Sequence, residues 1–318
     1  MAVRHLVTGG AGFVAVNLIR RLLAAGDRVI ALDDLSTGRR ETLAAFEDAP
    51  AFSFVQADCS DAGRTGQVIA EAGGVDEIWH LAANSDIPAG VSDPDIDLRR
   101  TFLTTFGVLG AMRSQKVQTL HFASSSAIYG DHGDGLIHED VGPLMPISNY
   151  GAMKLASEAQ ISAAAEAGLG RINILRFPNV IGAPATHGVI LDFVRKLQAT
   201  PDRLEVLGDG TQQKAYLHVD DLVSAMLHIR SLEGARQVFN IGPADDGVTV
   251  RFIAETVRDR VSPGAEIAFG QGNRGWVGDV PRFRYSIDRL ATSGWRATLP
   301  SHAAVTRAVD EIVAQEAS

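Results

Sequence analysis

A glycine-rich segment near the N-terminus, TGGAGFV at residues 8–14, constrains the fold of this 318-residue chain more than any other feature. It follows a short apolar run typical of a strand and precedes apolar residues at helical spacing. Glycines at such a junction permit a tight turn and a close approach of the backbone to a pyrophosphate at the start of the helix. Gly9 and Gly12 meet these two requirements, and Ala15 is small enough for close helix–strand packing. The segment therefore predicts a dinucleotide-binding site.

Strand and helix patterns alternate through the first half of the chain. The predicted strands cover residues 29–32, 52–56, 77–81 and 119–123, and the predicted helices include residues 17–25 and 97–114. This alternation predicts an α/β fold, a doubly wound parallel sheet of the Rossmann type with helices on both faces. Beyond residue 177, prolines and glycines interrupt the pattern. We expect residues 1–177 to form the NAD-binding domain, with parts of about 215–242 returning to it, and residues 178–318 to form a smaller, interleaved substrate lobe.

Composition narrows the class of protein further. The chain carries 29 basic and 38 acidic residues, and its formal net charge of −9 argues against binding to nucleic acid or to an anionic membrane surface. No apolar run approaches the roughly 18 residues of a membrane span, and the N-terminal residues do not resemble a signal peptide. Cys59 is the only cysteine, which excludes an intramolecular disulfide and a zinc site built from several cysteines. No His/Asp/Glu cluster has metal-binding spacing, so we expect no metal. Since neither a membrane span nor a signal peptide is predicted, we expect a cytoplasmic protein.

Two aspartates, Asp33 and Asp34, end the second predicted strand. A carboxylate at this point accepts hydrogen bonds from both hydroxyls of the adenosine ribose and repels a 2′-phosphate, which favours NAD over NADP. Arg39 and Arg40 leave NADP open, and an ordinary solvated loop is the alternative interpretation. The other residues expected to contact the cofactor are Phe13, Val14, Ser36, Thr37, Gly38, Asp58, Cys59, Leu81, Ala82, Ala83 and Phe177. Cys59 is interpreted as a packing residue and not as a nucleophile.

The sequence Tyr150-Gly-Ala-Met-Lys154 opens a predicted amphipathic helix at residues 152–165. A spacing of four places the phenol and the ammonium on one helix face. The chain has only four tyrosines and four lysines, so few such pairs arise by chance. A nearby ammonium lowers the pKa of a phenol, which can then remove a hydroxyl proton from a substrate while a hydride leaves the same carbon. A half-buried tyrosine on a surface helix is the alternative interpretation.

Three serines, Ser124, Ser125 and Ser126, end the fifth predicted strand at the carboxyl edge of the sheet. Ligands of doubly wound folds bind at this edge. One serine hydroxyl is therefore expected to hydrogen-bond a substrate oxygen. Serine runs are also typical of ordinary strand-end turns, so position in the fold carries this inference.

Longer motifs extend these observations over nearly the whole chain. They are TGGAGFV (8–14), DDLSTG (33–38), HLAA (80–83), FASSSAIYG (122–130), YGAMK (150–154), RFPNVIG (176–182), GDGTQQKAYLHVDDL (208–222) and FNIG (239–242). Through them the chain resembles the extended short-chain dehydrogenase/reductase family, in its nucleotide-sugar epimerase/dehydratase branch. The resemblance implies NAD as the cofactor, a nucleotide sugar as the substrate and a homodimer formed through helices at about 95–114 and 150–167.

The resemblance also implies roles for individual residues. The expected catalytic residues are Ser125, Tyr150 and Lys154, with Ser125 chosen because it stands four residues before Tyr129. The expected substrate-binding residues are Ser125, Ser126, Asn179, Lys214, Tyr216, Arg274 and Asp279.

Three departures from the family pattern stand beside this resemblance. Residues 101–105 read TFLTT where the family usually has Asn-X-X-Gly-Thr. Lys214 replaces an arginine that contacts the diphosphate, which gives a point charge instead of a bidentate fork. Trp276 stands where another arginine is usual, and Arg274 or Arg282 is a candidate for supplying that cation.

The activity implied by the resemblance is a nucleotide-sugar 4-epimerase for UDP-glucose and UDP-galactose, which oxidises C4 and returns the hydride to the opposite face. Dehydratases of the family place an Asp-Glu pair after the catalytic hydroxyl residue, whereas Ser126-Ala127 stands here and cannot protonate a departing hydroxyl. The alternatives are another enzyme that modifies nucleotide sugars (a dehydratase, a decarboxylase or a keto-sugar reductase) and a non-catalytic dinucleotide sensor. The Tyr150/Lys154 pair argues against a sensor, which has no need of proton transfer.

Overall fold

The structure is a computed structural model that describes residues 2–133, 135–273, 275, 280 and 282–317. The chain divides into two compact units. The first comprises Met1–Ile128, Ser148–Arg176 and Met226–Phe239, and the second comprises Tyr129–Ile147, Phe177–Ala225 and Asn240–Ser318. The sequence predicts residues 129–147 in the first domain, whereas the contacts of the structure group them with the second unit. Within the second unit, a strand of this segment pairs with residues 284–285, and the Tyr129 hydroxyl donates to Asn240 Oδ1 at 2.7 Å.

Strands and helices alternate along the chain. As far as β7, the elements are β1 (Arg4–Thr8), α1 (Phe13–Ala24), β2 (Arg28–Asp33), a 3₁₀ segment (Arg40–Phe46), β3 (Phe52–Gln56), α2 (Ala62–Glu71), β4 (Glu77–His80), α3 (Ile87–Ser92), α4 (Pro94–Asp97), a π-helical turn (Leu98–Leu103), α5 (Thr104–Gln115), β5 (Thr119–Ser125), a 3₁₀ turn (Ser126–Ile128), β6 (Leu136–Ile137), α6 (Asn149–Glu166) and β7 (Arg171–Phe177). The later elements are β8 (Asn179–Ile181), α7 (Val189–Ala199), β9 (Arg203–Val206), β10 (Gln213–Lys214), β11 (Tyr216–His218), α8 (Val219–Ser231), β12 (Arg236–Asn240), β13 (Val248–Thr249), α9 (Val250–Val261), β14 (Glu266–Phe269), β15 (Arg284–Tyr285), α10 (Asp288–Thr292) and α11 (Ser301–Glu316).

A seven-stranded sheet in the order β12-β7-β5-β4-β1-β2-β3 forms the centre of the fold. The five strands from β5 to β3 pair in parallel, and Thr8 of β1 lies beside Leu32 and His80 in the register. Helices cover such sheets on both faces, which explains why β1, β2, β4 and β5 are almost continuously buried. The sheet confirms the predicted Rossmann-type α/β fold. It also brings the carboxyl ends of these four strands to one edge.

The apolar core of the first unit lies between the sheet and helices α2, α5 and α6. Its buried members include Leu6, Leu32, Ile69, Ile78, Val108, Met112, Leu120, Phe122, Ile161 and Ile172. These side chains come from five strands and three helices, so packing in this core fixes where each strand ends along the sheet. The residues that follow the strands are positioned by this packing.

The helix predicted over residues 97–114 is where the structure departs most from the sequence pattern. A π-helical turn (Leu98–Leu103) separates α4 from α5. The hydroxyls of Thr104 and Thr105 each donate to the carbonyl oxygen four residues earlier, at 3.1 Å. Hydroxyls that compete in this way for helix carbonyls bend and loosen the local backbone. The wider turn therefore lies among the threonines that depart from the family pattern.

The second unit combines short strand pairs with a helical core. Its described residues form the two-stranded sheets β10–β13, β8–β11, β9–β14 and β6–β15. Helices α7, α9 and α11 enclose an apolar cluster that includes Ile190, Phe193, Val194, Ile253, Val257, Val305 and Val309. Across the described ranges of both units, no helix is long and apolar enough to cross a bilayer.

Candidate active site

The glycine-rich turn between β1 and α1 is shaped for a close backbone approach. Gly9 has a φ of +68°, and a Cβ at this position would lie 2.8 Å from the Ala82 backbone, so no other residue fits here without movement. Gly12 precedes α1, whose first turn has neither a side-chain cap nor an acidic residue. The uncapped N–H groups at this helix start, around Phe13 and Val14, suit a diphosphate. The turn therefore fits the NAD-type cofactor expected from the sequence.

Asp33, at the end of β2, stabilises this turn through its carboxylate. Its Oδ2 accepts a hydrogen bond from the Ala11 N–H at 3.0 Å, and its Oδ1 accepts one from the Leu35 N–H at 2.8 Å. A Cβ on Gly38 would lie 3.0 Å from Asp33 Oδ1, so the chain folds tightly over the carboxylate. Burial raises the pKa of Asp33, and the two backbone hydrogen bonds oppose this effect. Asp34 is exposed and its carboxylate accepts from the Ser36 N–H at 2.9 Å.

The other residues expected near the cofactor lie after the neighbouring strands. Asp58 is exposed beyond β3, and Ser36 and Thr37 are exposed beyond β2. Cys59 is buried in the apolar core, and burial strongly raises the pKa of its thiol. A buried thiol with a raised pKa is unreactive, so Cys59 is a packing residue. The half-buried segment Leu81–Ala83 follows β4 and passes directly against the glycine-rich turn.

The predicted Ser–Tyr–Lys group meets at the carboxyl edge of the sheet. Ser125 ends β5, and Tyr150 lies in the first turn of α6, which Ser148 caps through a 3.1 Å hydrogen bond from the Gly151 N–H. Desolvation of the phenol raises the pKa of Tyr150 to about 12, and the interaction with the nearby Ser125 hydroxyl opposes this. A proton-accepting Tyr150 therefore needs additional positive charge nearby.

Lys154 supplies a cation one turn along α6. Its Nζ lies 5.8 Å from the centre of the Tyr150 ring and 4.8 Å from that of Phe122, and it donates to Ala123 O at 2.6 Å. The side chain is almost completely buried. Burial lowers the pKa of Lys154 to about 7, and the negative charges of Glu158 and Asp97 oppose this effect. The charge of the ammonium is thus set by its buried acidic neighbours.

A buried ion pair behind Lys154 was missed by the sequence reasoning. Glu158 and Arg176 form two hydrogen bonds, Arg176 Nε to Oε1 at 3.0 Å and Arg176 Nη2 to Oε2 at 2.6 Å. Ser124 Oγ also donates to the Glu158 carboxylate. Glu158 is four residues after Lys154, so the same helical spacing that identified Tyr150 would have placed it on this face. The ion pair ties α6 to β5 and β7 directly beneath the Ser–Tyr–Lys group.

A hydrogen-bonded chain beneath the glycine-rich turn was also missed. Thr8 Oγ1 bonds to His80 Nδ1 at 2.7 Å, and His80 Nε2 bonds to Thr105 Oγ1 at 3.0 Å. Thr105 Oγ1 also lies 3.0 Å from Ser157 Oγ on α6. Burial lowers the pKa of His80 to about 3, so the ring is neutral. Thr105 stands where the family pattern also has a threonine, so its sequence position gave no signal of this buried chain.

Apart from Ser126 of the first unit, the remaining predicted site residues belong to the second unit or fall outside the described residues. Asn179 is exposed at the start of β8 and pairs in register with Tyr216 of β11, whose side chain is buried in the core of that unit. Lys214 is half-buried at the end of β10. Arg282 forms an isolated bridge with Gln213. Half-buried positions also hold Phe177, which ends β7, and Ser126 in the 3₁₀ turn after β5, whereas Arg274 and Asp279 lie outside the described residues.

Ser125, next to Tyr150, ends β5 at the same sheet edge as the turn after β1. A Rossmann-type unit with a Tyr/Lys pair on the helix after β5 is a short-chain dehydrogenase/reductase, because the pair then faces the dinucleotide edge. The class is therefore defined by the first unit alone.

Within that class, the chain belongs to the NAD dependent epimerase/dehydratase family, whose profile matches residues 5–242. It is 35% identical to the UDP-glucose 4-epimerase of Mycolicibacterium smegmatis over 75% of this chain and 77% of that protein. A crystal structure of a UDP-galactose 4-epimerase is similar with a TM-score of 0.84 and 33% identity, covering 98% and 99% of the two chains. A Streptomyces venezuelae dTDP-glucose 4,6-dehydratase with NAD bound has a TM-score of 0.88 at 27% identity, covering 99% and 98%. The protein is thus an enzyme of a family that includes both activities.

Proposed function

We propose that this protein is an NAD-dependent nucleotide-sugar 4-epimerase acting on UDP-glucose and UDP-galactose. The observation that carries the proposal is the placement of Tyr150 beside Ser125, at the end of β5, with the buried Lys154 Nζ 5.8 Å from the centre of the Tyr150 ring. These three side chains suffice for removing and returning the proton of a sugar hydroxyl. Two relatives named UDP-glucose 4-epimerase, 35% and 31% identical to this chain, support the choice of substrate.

The cofactor in this proposal is NAD, and the first unit offers the groups to hold it. The uncapped start of α1 after Gly12 would take the diphosphate, because its N–H groups point at the anion. Asp33 would accept the ribose hydroxyls with the lone pairs that its two backbone bonds leave. When bound, NAD supplies a reversible hydride acceptor for C4 of the sugar.

Proton transfer falls to the chain's own residues. Tyr150 Oη takes the proton of the C4 hydroxyl as the C4 hydrogen leaves with its electron pair, and it returns the proton when the hydride comes back. Ser125 Oγ, which lies near the Tyr150 phenol, would hydrogen-bond the same sugar oxygen. The Lys154 ammonium favours the ionised phenol by charge. The 4-keto sugar presents either face after rotation about its diphosphate linkage, so net epimerisation consumes no cofactor.

A 4,6-dehydratase is the second candidate, and the similarity to the Streptomyces venezuelae enzyme favours it. Elimination of water needs a further acid and base next to the catalytic hydroxyl residue. Ser126 and Ala127 occupy the 3₁₀ turn directly after Ser125, and neither supplies such a group. We therefore place the epimerase first. In the second unit, Asn179, Lys214 and Tyr216, together with Arg274 and Asp279, remain the proposed contacts to the nucleotide sugar.

The direct experiment is incubation of the purified protein with UDP-galactose and no added NAD, followed by separation of UDP-glucose. We expect UDP-glucose to form without a net change in NADH absorbance. Tyr150→Phe should lose at least about 100-fold in kcat, since general base catalysis contributes this much, and it should still bind NAD. Tyr285→Phe is the matched control, because it removes a buried phenol that donates to Ile241 O at 2.6 Å.

Three results would contradict the proposal. A 4-keto-6-deoxy product would identify a dehydratase, and steady consumption of NADH would identify a reductase. Absence of product with several nucleotide hexoses, from protein shown to carry NAD, would exclude the epimerase. If Tyr150→Phe retains the full rate, the assignment of Tyr150 is wrong.

We also propose that a second copy of the chain covers the outer face of the segment from Leu98 to Phe106. Phe106 is 57% exposed, and Leu98 and Leu103 are exposed beside it in sequence. Large apolar side chains grouped in this way favour an interface. Light scattering should give the mass of a dimer for the wild type and of a monomer for Phe106→Glu. Leu136→Glu, at another exposed apolar position, is expected to remain a dimer.

A further inference from the structure

Asp97 is a completely buried carboxylate with only half of its hydrogen-bonding capacity used. Its Oδ1 accepts from Asn84 Nδ2 at 2.9 Å. Its Oδ2 is buried and has no hydrogen-bond partner among the described residues. An unpaired buried carboxylate oxygen is costly unless a nearby charge compensates it. The position of Asp97 therefore calls for a cation within electrostatic range.

The backbone around Asp97 is arranged to accommodate this oxygen. A Cβ on Gly90 would lie 1.9 Å from Asp97 Oδ2, so the carboxylate occupies the volume that a side chain would take. The carbonyl oxygen of Gly90 accepts from Asn149 Nδ2 at 2.7 Å, and Asn149 directly precedes Tyr150. Helices α3 and α4 both pack against α6, which carries Tyr150. Asp97 is thus fixed between Asn84 and Gly90, on a helix that packs against α6.

The charged groups around Lys154 show which of its two neighbouring carboxylates is not already paired with another cation. Glu158 already forms two hydrogen bonds with Arg176 and accepts another from Ser124. The charges of Glu158 and, after it, of Asp97 raise the pKa of Lys154. Burial raises the pKa of Asp97, and the charge of Lys154 opposes that rise. The other titratable groups within range are Tyr150, which Asp97 influences, His80, which Lys154 influences, and Asp86, which acts on Asp97.

We propose that Asp97 is a positioning residue for the Tyr150–Lys154 pair, and that its buried carboxylate is a counter-charge, beside Glu158, that favours the protonated Lys154 ammonium. The same negative charge disfavours ionisation of Tyr150. Both effects favour the protonated forms of the pair in the resting protein, so that Tyr150 becomes a base when positive charge is added beside it. The consequence for turnover rests on the proposed function, whereas the electrostatic coupling does not.

Titration of Lys154 tests the coupling directly. The chain has only four lysines, so protein labelled with ¹³C at lysine Cε gives four signals, and Lys154→Met assigns the buried one. In the wild type this signal should titrate at about pH 7. In Asp97→Asn it should titrate about one pH unit lower, the size expected for loss of a neighbouring opposite charge. Asp95→Asn, which removes an exposed carboxylate of the same helix, should leave it unchanged.

Further variants keep the test decisive. Asp97→Ser retains an oxygen acceptor for Asn84 and should shift the Lys154 titration in the same direction if Asp97→Asn fails to fold. Gly90→Ala should destabilise the wild type and be better tolerated in the Asp97→Ser background, because the clash with Oδ2 is then absent. An unchanged or raised Lys154 titration in both Asp97 variants overturns the proposal. An equal cost of Gly90→Ala in both backgrounds also overturns it.

The pH dependence of kcat/KM separates positioning from mere structural support. Loss of the Asp97 charge should move both limbs of the profile about one unit toward lower pH, since the pKa values of Tyr150 and Lys154 both fall. A structural role would lower the rate without moving the limbs, and this result would refute the positioning role. The lysine titration uses protein without substrate. Absence of epimerase activity in all variants would therefore contradict the proposed function and leave the coupling separately measured.

Discussion

Acidification is the perturbation for which the structure gives the sharpest expectation, and His80 is a residue through which it acts. The imidazole is completely buried between Thr8 and Thr105, and burial lowers its pKa from 6.5 to about 3. Below pH 6.5 the unfolded chain therefore binds a proton at His80 that the folded protein does not accept until about pH 3. Stability from this group is complete above pH 6.5 and is lost progressively as the pH falls through that window.

The magnitude follows from the size of this pKa change. One pKa unit corresponds to about 1.4 kcal/mol, so His80 removes about 1.4 kcal/mol of unfolding free energy for each pH unit and about 5 kcal/mol over the window. Burial also lowers the pKa of His5 and of His121, so both histidines act in the same direction. Since a typical domain is stable by only about 5–15 kcal/mol, we expect the first unit to unfold in moderately acidic solution.

Urea denaturation at a series of pH values between about 7.5 and 5 measures this slope, with unfolding followed by circular dichroism and tryptophan fluorescence. His80→Gln removes the titrating group and should reduce the slope of unfolding free energy against pH by about 1.4 kcal/mol per unit, whatever its cost at neutral pH. His302→Gln, at an exposed position on α11, is the matched control and should keep the wild-type slope. An identical slope for His80→Gln and the wild type would refute the reasoning.

Two further predictions concern the site's framework. Gly9→Ala should lower the free energy of unfolding by about 2–4 kcal/mol and weaken NAD binding, because strain at positive φ adds to a backbone clash. Gly26→Ala, with a φ of +84° and open space around it, should lower it by only about 1 kcal/mol. Equal losses in thermal denaturation would argue against the close approach at Gly9. Glu158→Gln should destabilise the folded protein by about 3–5 kcal/mol, because it leaves the buried Arg176 guanidinium without its carboxylate partner. Glu166→Gln, in an exposed ion pair, should change the midpoint of unfolding little.

The sheet and the Tyr/Lys pair could be predicted from the sequence because both follow from short-range periodicity. β3 was predicted over residues 52–56 and forms over Phe52–Gln56, since apolar strands bounded by polar residues are readable locally. Tyr150 and Lys154 share a helix face by spacing alone. The boundary of the helix predicted at 152–165 was wrong by three residues at its start, because the cap is made by Ser148 upstream of the apolar pattern.

The buried polar groups could not be predicted in the same way, because their partners are distant in sequence. His80 bonds to Thr8, 72 residues earlier, and to Thr105 on another helix. The environment of Asp97 depends on a glycine and an asparagine from a preceding segment, and no local pattern identifies a buried aspartate after a polar turn. The π-helical turn at Leu98–Leu103 likewise results from side-chain competition that helical periodicity does not encode.

The hydrogen bonds of Asp33 limit how the cofactor preference of this enzyme can be redesigned or drift. Replacing the carboxylate with a small neutral side chain is the obvious way to admit a 2′-phosphate, since it removes the repelling charge. In this chain the same substitution would also release the N–H groups of Ala11 and Leu35, and with them the turn that approaches the diphosphate. In the proposed NAD site, the same carboxylate therefore determines both the selectivity against a 2′-phosphate and the shape of the glycine-rich turn. A change of cofactor has to proceed through paired substitutions that first provide new acceptors for those two N–H groups.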